Sequence, residues 1–271
     1  MGVSAQYNVF MASRPRIICS TGSFWMWELD RTLALIRQAG FDAAELMVTR
    51  DPRTQSAEVA GAIARKEGIE IRALHAPMLV ITRRVWGPNF MKIIDRSAAV
   101  AKGLGAGVVV VHPPYLWELR YQTWLLTQLN RFSSDHGLAI AVENMFRLWV
   151  RGAPVRGHRW VSPSDLDGFT QVTLDTSHCG VDGYDILEAL DRLGGQIAHV
   201  HLSDSRGDHR DSHAVPGTGV LPLDVFVKRL PTSGFKGDLS LELDMRPYVG
   251  DEAKVAEALA RAREFCEDHL P

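Results

Sequence analysis

The feature that most constrains this 271-residue chain is an alternation. Short apolar runs rich in β-formers recur along it, separated mostly by longer stretches with helical periodicity. The strand-like runs are 16–20, 42–47, 69–75, 107–112, 138–143, 171–175, 197–202 and 238–243. The helical patterns between and after them are 29–38, 57–66, 90–104, 121–136, 186–193, 223–230 and 252–267. Gly40, Gly68 and Gly137 stand where the first, second and fourth of these should stop. The fifth crossover begins at Ser162-Pro163, a good helix start followed by only a short helical pattern. Eight strands alternating with about as many helices match the count and size of a closed (β/α)8 TIM barrel of class α/β. A doubly wound open sheet is the alternative. It would bring a glycine-rich phosphate loop after its first strand, and Ser20-Thr21-Gly22-Ser23-Phe24-Trp25 is no such loop.

Composition narrows the reading further. Hydrophobic residues make up 46% and the formal net charge is −2, which excludes a disordered chain. Apolar runs such as 107–111 are strand-sized, far short of the roughly 18 residues of a membrane span. The first residues lack the charged start and apolar segment of a secretory leader. Cys19, Cys179 and Cys266 show no paired spacing, so neither a disulfide framework nor a zinc knuckle is expected. A cytoplasmic protein is the expectation. It would have a flexible tail over residues 1–14, with Met11 as a second candidate start, and one barrel domain over 15–271.

The strands end alike. In a parallel barrel both strand faces are buried, so the runs should be wholly apolar, and these are until their last residues. Because side chains alternate, Ala73 shares a face with His75, Val110 with His112, Ala141 with Glu143, Thr173 with Asp175, His199 with His201, and Ser240 with Glu242. The other face carries Leu74, Val111, Val142, Leu174, Val200 and Leu241, as packing against outer helices requires. Ionisable side chains thus point inward at the carboxyl end, where barrel enzymes build their sites. One such residue is usually a satisfied core group. Carboxylates and imidazoles buried together call for compensation, and a divalent metal supplies it.

At these residues the chain resembles the xylose isomerase-like barrel superfamily, which joins sugar isomerases and epimerases with endonuclease IV-type repair enzymes. The matching segments are His75-Ala76-Pro77, His112-Pro113, Glu143-Asn144, Asp175-Thr176-Ser177-His178, His201-Leu202-Ser203-Asp204, Asp211-Ser212-His213 before Gly217-Thr218-Gly219, and Glu242. The resemblance implies one metal (Zn, Mn, Mg or Co) held by Glu143, Asp175, His201 and Glu242 in a sugar-converting enzyme. In an endonuclease IV-like enzyme it implies up to three zinc ions, with His75, His112, His178, Asp211 and His213 as further ligands. In sugar-converting relatives some of these histidines contact substrate instead.

Two chemistries follow. In an isomerase or epimerase, Glu143 and Glu242 would remove and return a proton beside a carbonyl while the metal stabilises the enediolate, and His178 would bond a hydroxyl. In a phosphodiesterase, a cluster would generate hydroxide and clamp the leaving oxygen. Of seven tryptophans, only Trp124 sits well inside a helical pattern; Trp25, Trp27, Trp86, Trp117, Trp149 and Trp160 follow strands. Their faces suit sugar C–H surfaces or stacked bases, although anchoring loops to the rim would place some of them there too. Arg83, Arg84, Arg147, Arg151, Arg156, Arg159, Arg206 and Arg210 gather at the same end, suited to a phosphate, a carboxylate or a DNA groove, or simply to a solvated rim.

Two departures limit the resemblance. Keto-sugar epimerases place a second glutamate six residues after the fifth-strand ligand, where this chain has Trp149. The turns at 20–27 and 48–54 do not look like the DNA-penetrating loops of endonuclease IV. Residues 146–161 form a long loop fit for a lid. The expectation is a metal-dependent isomerase or epimerase of a small sugar, sugar acid or polyol derivative, with Trp25, Trp149, His178 and Arg206 as substrate contacts. Homo-oligomers are compatible with this reading, and nucleic acid is a partner only for the endonuclease-like alternative. Another lyase, dehydratase or hydrolase chemistry on the same scaffold, or a non-catalytic binding protein, remains open.

Overall fold

The computed structural model describes residues 15–79 and 85–271, so the 1–14 tail and Arg83 and Arg84 lie outside the described residues. In chain order the strands are β1 (Ile17–Ser20), β2 (Ala43–Met47), β3 (Glu70–His75), β4 (Val108–Val111), β5 (Ala139–Glu143), β6 (Leu148–Val150), β7 (Ala153–Val155), β8 (Val172–Asp175), β9 (Ile197–Leu202) and β10 (Asp238–Leu241). All but β6 and β7 form a closed barrel in the circular order β1-β10-β9-β8-β5-β4-β3-β2, every pair parallel. The expected TIM barrel is therefore the fold.

The helices are α1 (Leu29–Gln38), α2 (Ala57–Glu67), α3 (Phe90–Leu104), α4 (Leu119–Thr127), α5 (Leu129–His136), α6 (Thr176–Asp182), α7 (Ile186–Leu193), α8 (Leu223–Arg229) and α9 (Glu252–His269). The pattern over 121–136 divides into α4 and α5 because Gln128, at φ −122°, leaves the helical backbone. Ser162 and Asp165 form a reciprocal capping box, yet only one tight turn, Pro163–Leu166, follows. Instead α6 starts directly at the end of β8, with Asp175 as its cap: the carboxylate accepts from His178 N at 2.8 Å. The sequence reading missed α6, and it also missed the β6–β7 hairpin inside the 146–161 loop.

Leu74, Val142, Leu174, Val200 and Leu241 are fully buried in one core with helix residues such as Leu33, Ile36, Ile94, Leu190, Phe226 and Leu259. Burying each such side chain contributes roughly 1.5–3 kcal/mol, which fixes the strand register and hence which residues point inward. Around the starts of the strands, Arg16 pairs with Asp42 (2.8 Å) and Glu70 (2.5 Å), and Arg72 with Glu70 (2.9 Å) and Asp238 (2.6 Å). No helix among the described residues is long and apolar enough to cross a membrane.

Candidate metal centre

The carboxyl ends of the strands bring the predicted donors to one place. Glu143 ends β5, Asp175 ends β8, His201 lies near the end of β9 and Glu242 follows β10. One donor atom from each lies within 4.8 Å of the others. His201 Nδ1 is 2.8 Å from Glu143 Oε1, 2.9 Å from Glu242 Oε2 and 3.7 Å from Asp175 Oδ2. Gly22 makes room for Glu242: a Cβ there would stand 2.7 Å from its Oε1.

The further donors also arrive. His112 Nε2 and His75 Nε2 approach the other oxygen of Glu143, Oε2, at 3.1 and 3.5 Å. Asp211 Oδ2 receives His213 Nε2 at 3.0 Å and His178 Nε2 at 3.6 Å. His178 Nδ1 donates to the Asn144 carbonyl at 2.7 Å, which aims the ring. The Asn144 side chain in turn clamps Asp175, donating to its carbonyl (3.1 Å) and accepting from its N–H (2.8 Å).

Asp211 and His213 ride on the loop after β9, which Asp204 organises. Its carboxylate accepts from the backbone N–H groups of Ser205, Gly217, Gly219 and Leu221 at 2.8–3.1 Å. Gly219 approaches so closely that a Cβ would meet Ser205 O at 2.2 Å, so the loop needs glycine there. His213 is held at φ +37°, with Nδ1 donating to the Glu242 carbonyl at 3.0 Å. A non-glycine residue kept in that region costs about 1–3 kcal/mol and persists where its surroundings dictate it.

Charge in this cluster is settled by imidazoles. Burial opposes ionisation of Glu143, but His201, His112 and His75 hold its carboxyl well below the usual range. Burial likewise works against a charged His201, while Glu45, Glu242 and Glu143 raise it well above the usual histidine range. His178 is raised to about 10 by Asp175 and Asp211, also against burial. Even so, Glu143 Oε2 and Asp175 Oδ2 are buried without an aligned hydrogen bond among the described residues. Orphaned carboxylate oxygens beside imidazole nitrogens are the donor set a divalent cation takes. The residues fit a metal.

The predicted substrate contacts are less uniform. His178 lies in the cluster. Trp149, on β6, stacks on His209 with ring centroids 3.8 Å apart, tying the hairpin to the β9 loop. Trp25 is 56% exposed and sits on the rim with Trp27, Met245 and Arg246. Arg206 is exposed on the loop that carries Asp211 and His213. Other rim cations are engaged: Arg147 with Asp182, Arg156 with Asp165, and Arg159 with the Leu116 carbonyl. Tyr115 and His158 make an isolated antiparallel bridge and their rings pack 4.2 Å apart, joining the β4 and β5 loops.

Sequence reading missed Glu45 on β2 and the role of His199. Glu45 is fully buried and accepts from His199 Nε2 at 2.5 Å and His201 Nε2 at 3.0 Å. An acid in the middle of an apolar strand run was the available signal.

A closed parallel barrel with a ring of metal donors at its carboxyl end defines the class. A xylose isomerase-like TIM barrel family matches residues 33–265, and the chain belongs to that family. An uncharacterized protein of Mycobacterium tuberculosis is 34% identical over 266 residues, covering 90% of this chain and 95% of that one. A probable endonuclease 4 of Mycobacterium bovis is 29% identical over 189 residues, covering 59% of this chain and 69% of that one. Among solved structures, a D-tagatose 3-epimerase-like protein aligns with TM-score 0.69 at 23% identity, over 93% of this chain and 98% of its own. An AP endonuclease of family 2 from Brucella melitensis aligns with TM-score 0.68 at 17% identity, over 86% and 94%. At such identities the likeness is one of fold.

Proposed function

We propose that this chain is a divalent-metal-dependent enzyme that isomerises or epimerises a small sugar, sugar acid or polyol derivative. One observation carries the reading: the four-donor group sits at the carboxyl end of the barrel, where the loops are tied to one another by Tyr115 with His158 and Trp149 with His209. A small molecule suits loops tied across one another better than a duplex does, and two of the rim arginines, Arg147 and Arg156, are already paired with acids and so are poor partners for a polyanion.

Glu143, Asp175, His201 and Glu242 would hold the ion. When bound, a divalent cation lends Lewis-acid stabilisation to negative charge on substrate oxygens. The two glutamates divide the work unequally. Glu143 is 1% exposed and hemmed by His75, His112 and His201, which suits a ligand and not a mobile base. Glu242, with its side chain 13% exposed, is the better group for carrying a proton to and from substrate carbon. His178 is positioned to orient a hydroxyl, and Trp25 and Arg206 are placed on the rim to meet the rest of the substrate.

The test is solvent deuterium exchange into a panel of ketoses, aldoses and sugar acids by Mn-, Co-, Mg- or Zn-loaded protein. Exchange that disappears in Glu242→Gln supports the reading; absence of exchange with every metal overturns it. A second reading, phosphodiester hydrolysis, is favoured by the two flanking donor groups, His75 and His112 on Glu143 and His178 and His213 on Asp211. Three zinc ions per chain with cleavage of an abasic-site duplex would establish it instead.

A further inference from the structure

Glu45 occupies the middle of β2, where its carboxylate is fully buried. Among the described residues no arginine or lysine reaches it. Three donors do: Ser20 Oγ on Oε1 at 3.0 Å, and His199 Nε2 (2.5 Å) and His201 Nε2 (3.0 Å) on Oε2. Glu45, His199 and His201 could be taken for a second metal site, but both oxygens of Glu45 already accept hydrogen bonds, whereas Glu143 and Asp175 each keep a buried oxygen without one.

This has a consequence for His201. Its Nε2 is taken by Glu45, so Nδ1 is the ring nitrogen left for Glu143, Asp175 and Glu242. We infer that Glu45 is a positioning residue: by accepting the Nε2 proton it fixes the ring and tautomer of His201, so that Nδ1 faces the metal position. A carboxylate behind a ligating imidazole also raises the basicity of the nitrogen in front. Glu45 cannot drift with the ring, because Ser20 on β1 and His199 on β9 hold both its oxygens. A purely structural role accounts poorly for the arrangement, since a buried charge pair in a barrel interior is often no more stable than apolar packing of the same volume.

The inference rests on the four-donor group being a metal site, and the experiment separates the two ideas. Cobalt(II) alone is titrated into wild-type protein, Glu45→Gln and Ser20→Ala, reading affinity and the visible absorption of the bound ion. Glu45→Gln is expected to weaken cobalt binding about 10–100-fold and to shift the absorption bands, with Ser20→Ala in the same direction and smaller. A folded Glu45→Gln with wild-type affinity and spectrum overturns the positioning role. Should that variant fail to fold, imidazole nitrogen NMR of zinc-loaded wild-type protein decides: His201 protonated at Nε2 supports the inference, and protonation at Nδ1 overturns it. Wild-type protein that takes up no cobalt overturns the metal site, and the positioning role with it.

Discussion

The two ends of the barrel are both built from charged side chains, and they settle charge in opposite ways. At the amino end, Arg16 and Arg72 interleave with Asp42, Glu70 and Asp238. Guanidinium forks and carboxylates satisfy one another there, half in water. At the carboxyl end the ion-pair partners of Glu143, Asp175, Asp211 and Glu242 among the described residues are imidazoles, and two carboxylate oxygens, Glu143 Oε2 and Asp175 Oδ2, are left without a hydrogen bond. A closed network needs nothing more. An open one, buried, is what a cation would complete, which accords with the first end serving stability and the second the proposed function.

The sharpest way to break this contrast is to remove the charge at the centre of the open end. Glu143→Gln should fold and lose turnover by at least about 10²–10³-fold, the range for losing one charge-stabilising group. Chelation gives a second reading. At free metal 100 times its Kd, binding stabilises by about 2.7 kcal/mol, so a chelator should lower the Tm of wild-type protein by roughly 5–10 °C. In Glu143→Gln that chelator-sensitive shift should vanish. A variant that keeps both the shift and the turnover would show that the open end is not a metal centre.

The strand ends and their shared face were legible because a two-residue period forces side chains at matching positions to one side, whichever helices follow. That placed His75, His112, Glu143, Asp175, His201 and Glu242 in advance. What escaped lay outside that rule. Glu45 sits in mid-strand, so a search of the last residues passes over it. Helix α6 has no amphipathic pattern, since all its residues but Asp182 are buried, and it starts on a strand's final residue. The β6–β7 hairpin turns at Arg151 and Gly152. Its exposed Leu148, Val150 and Val155 do not follow the inside–outside alternation that marks a strand. Arg206 and Trp25 were grouped by the strand end they follow, which says which face a residue occupies but not how near the donors it comes.

Titration sharpens the same comparison with a smaller effect. In metal-free protein His178 is raised to about 10, burial being outweighed by Asp175 and Asp211. A raised pKa contributes stability fully present below the unfolded value of about 6.5 and lost as pH climbs through the folded value. His158 runs the other way. Burial lowers it to about 4, so its contribution is present above about pH 6.5 and lost as the pH falls through 4. At the amino end, against burial, Arg16 and Arg72 are raised and Glu70 is lowered by their mutual pairing, so these groups stay ionised from pH 6.5 to 10 and add no slope. The urea midpoint of chelated protein should therefore fall over that interval, each proton contributing at most about 1.4 kcal/mol per pH unit. His178→Asn should flatten the fall. Parallel curves for the two proteins would remove His178 from the account.

The smallest effect is expected at the closed end, and the reason is its redundancy. Arg16 is about one-third exposed, and its partners Asp42 and Glu70 are 67% and 53% exposed in their side chains. Water solvates both carboxylates when the guanidinium is gone, and Glu70 keeps its bond to Arg72. Arg16→Gln should then cost no more than about 0.5–1 kcal/mol, a fall of roughly 1–4 °C in Tm. Arg72 is different in kind, because its partner Asp238 has a side chain only 13% exposed and would be left a nearly buried, unpaired charge. The decisive readout for Arg16→Gln is the chelator-induced shift, which should equal that of wild-type protein. A changed shift would mean that the amino-end network reaches the metal centre through the strands, and the two ends would have to be treated as one electrostatic unit.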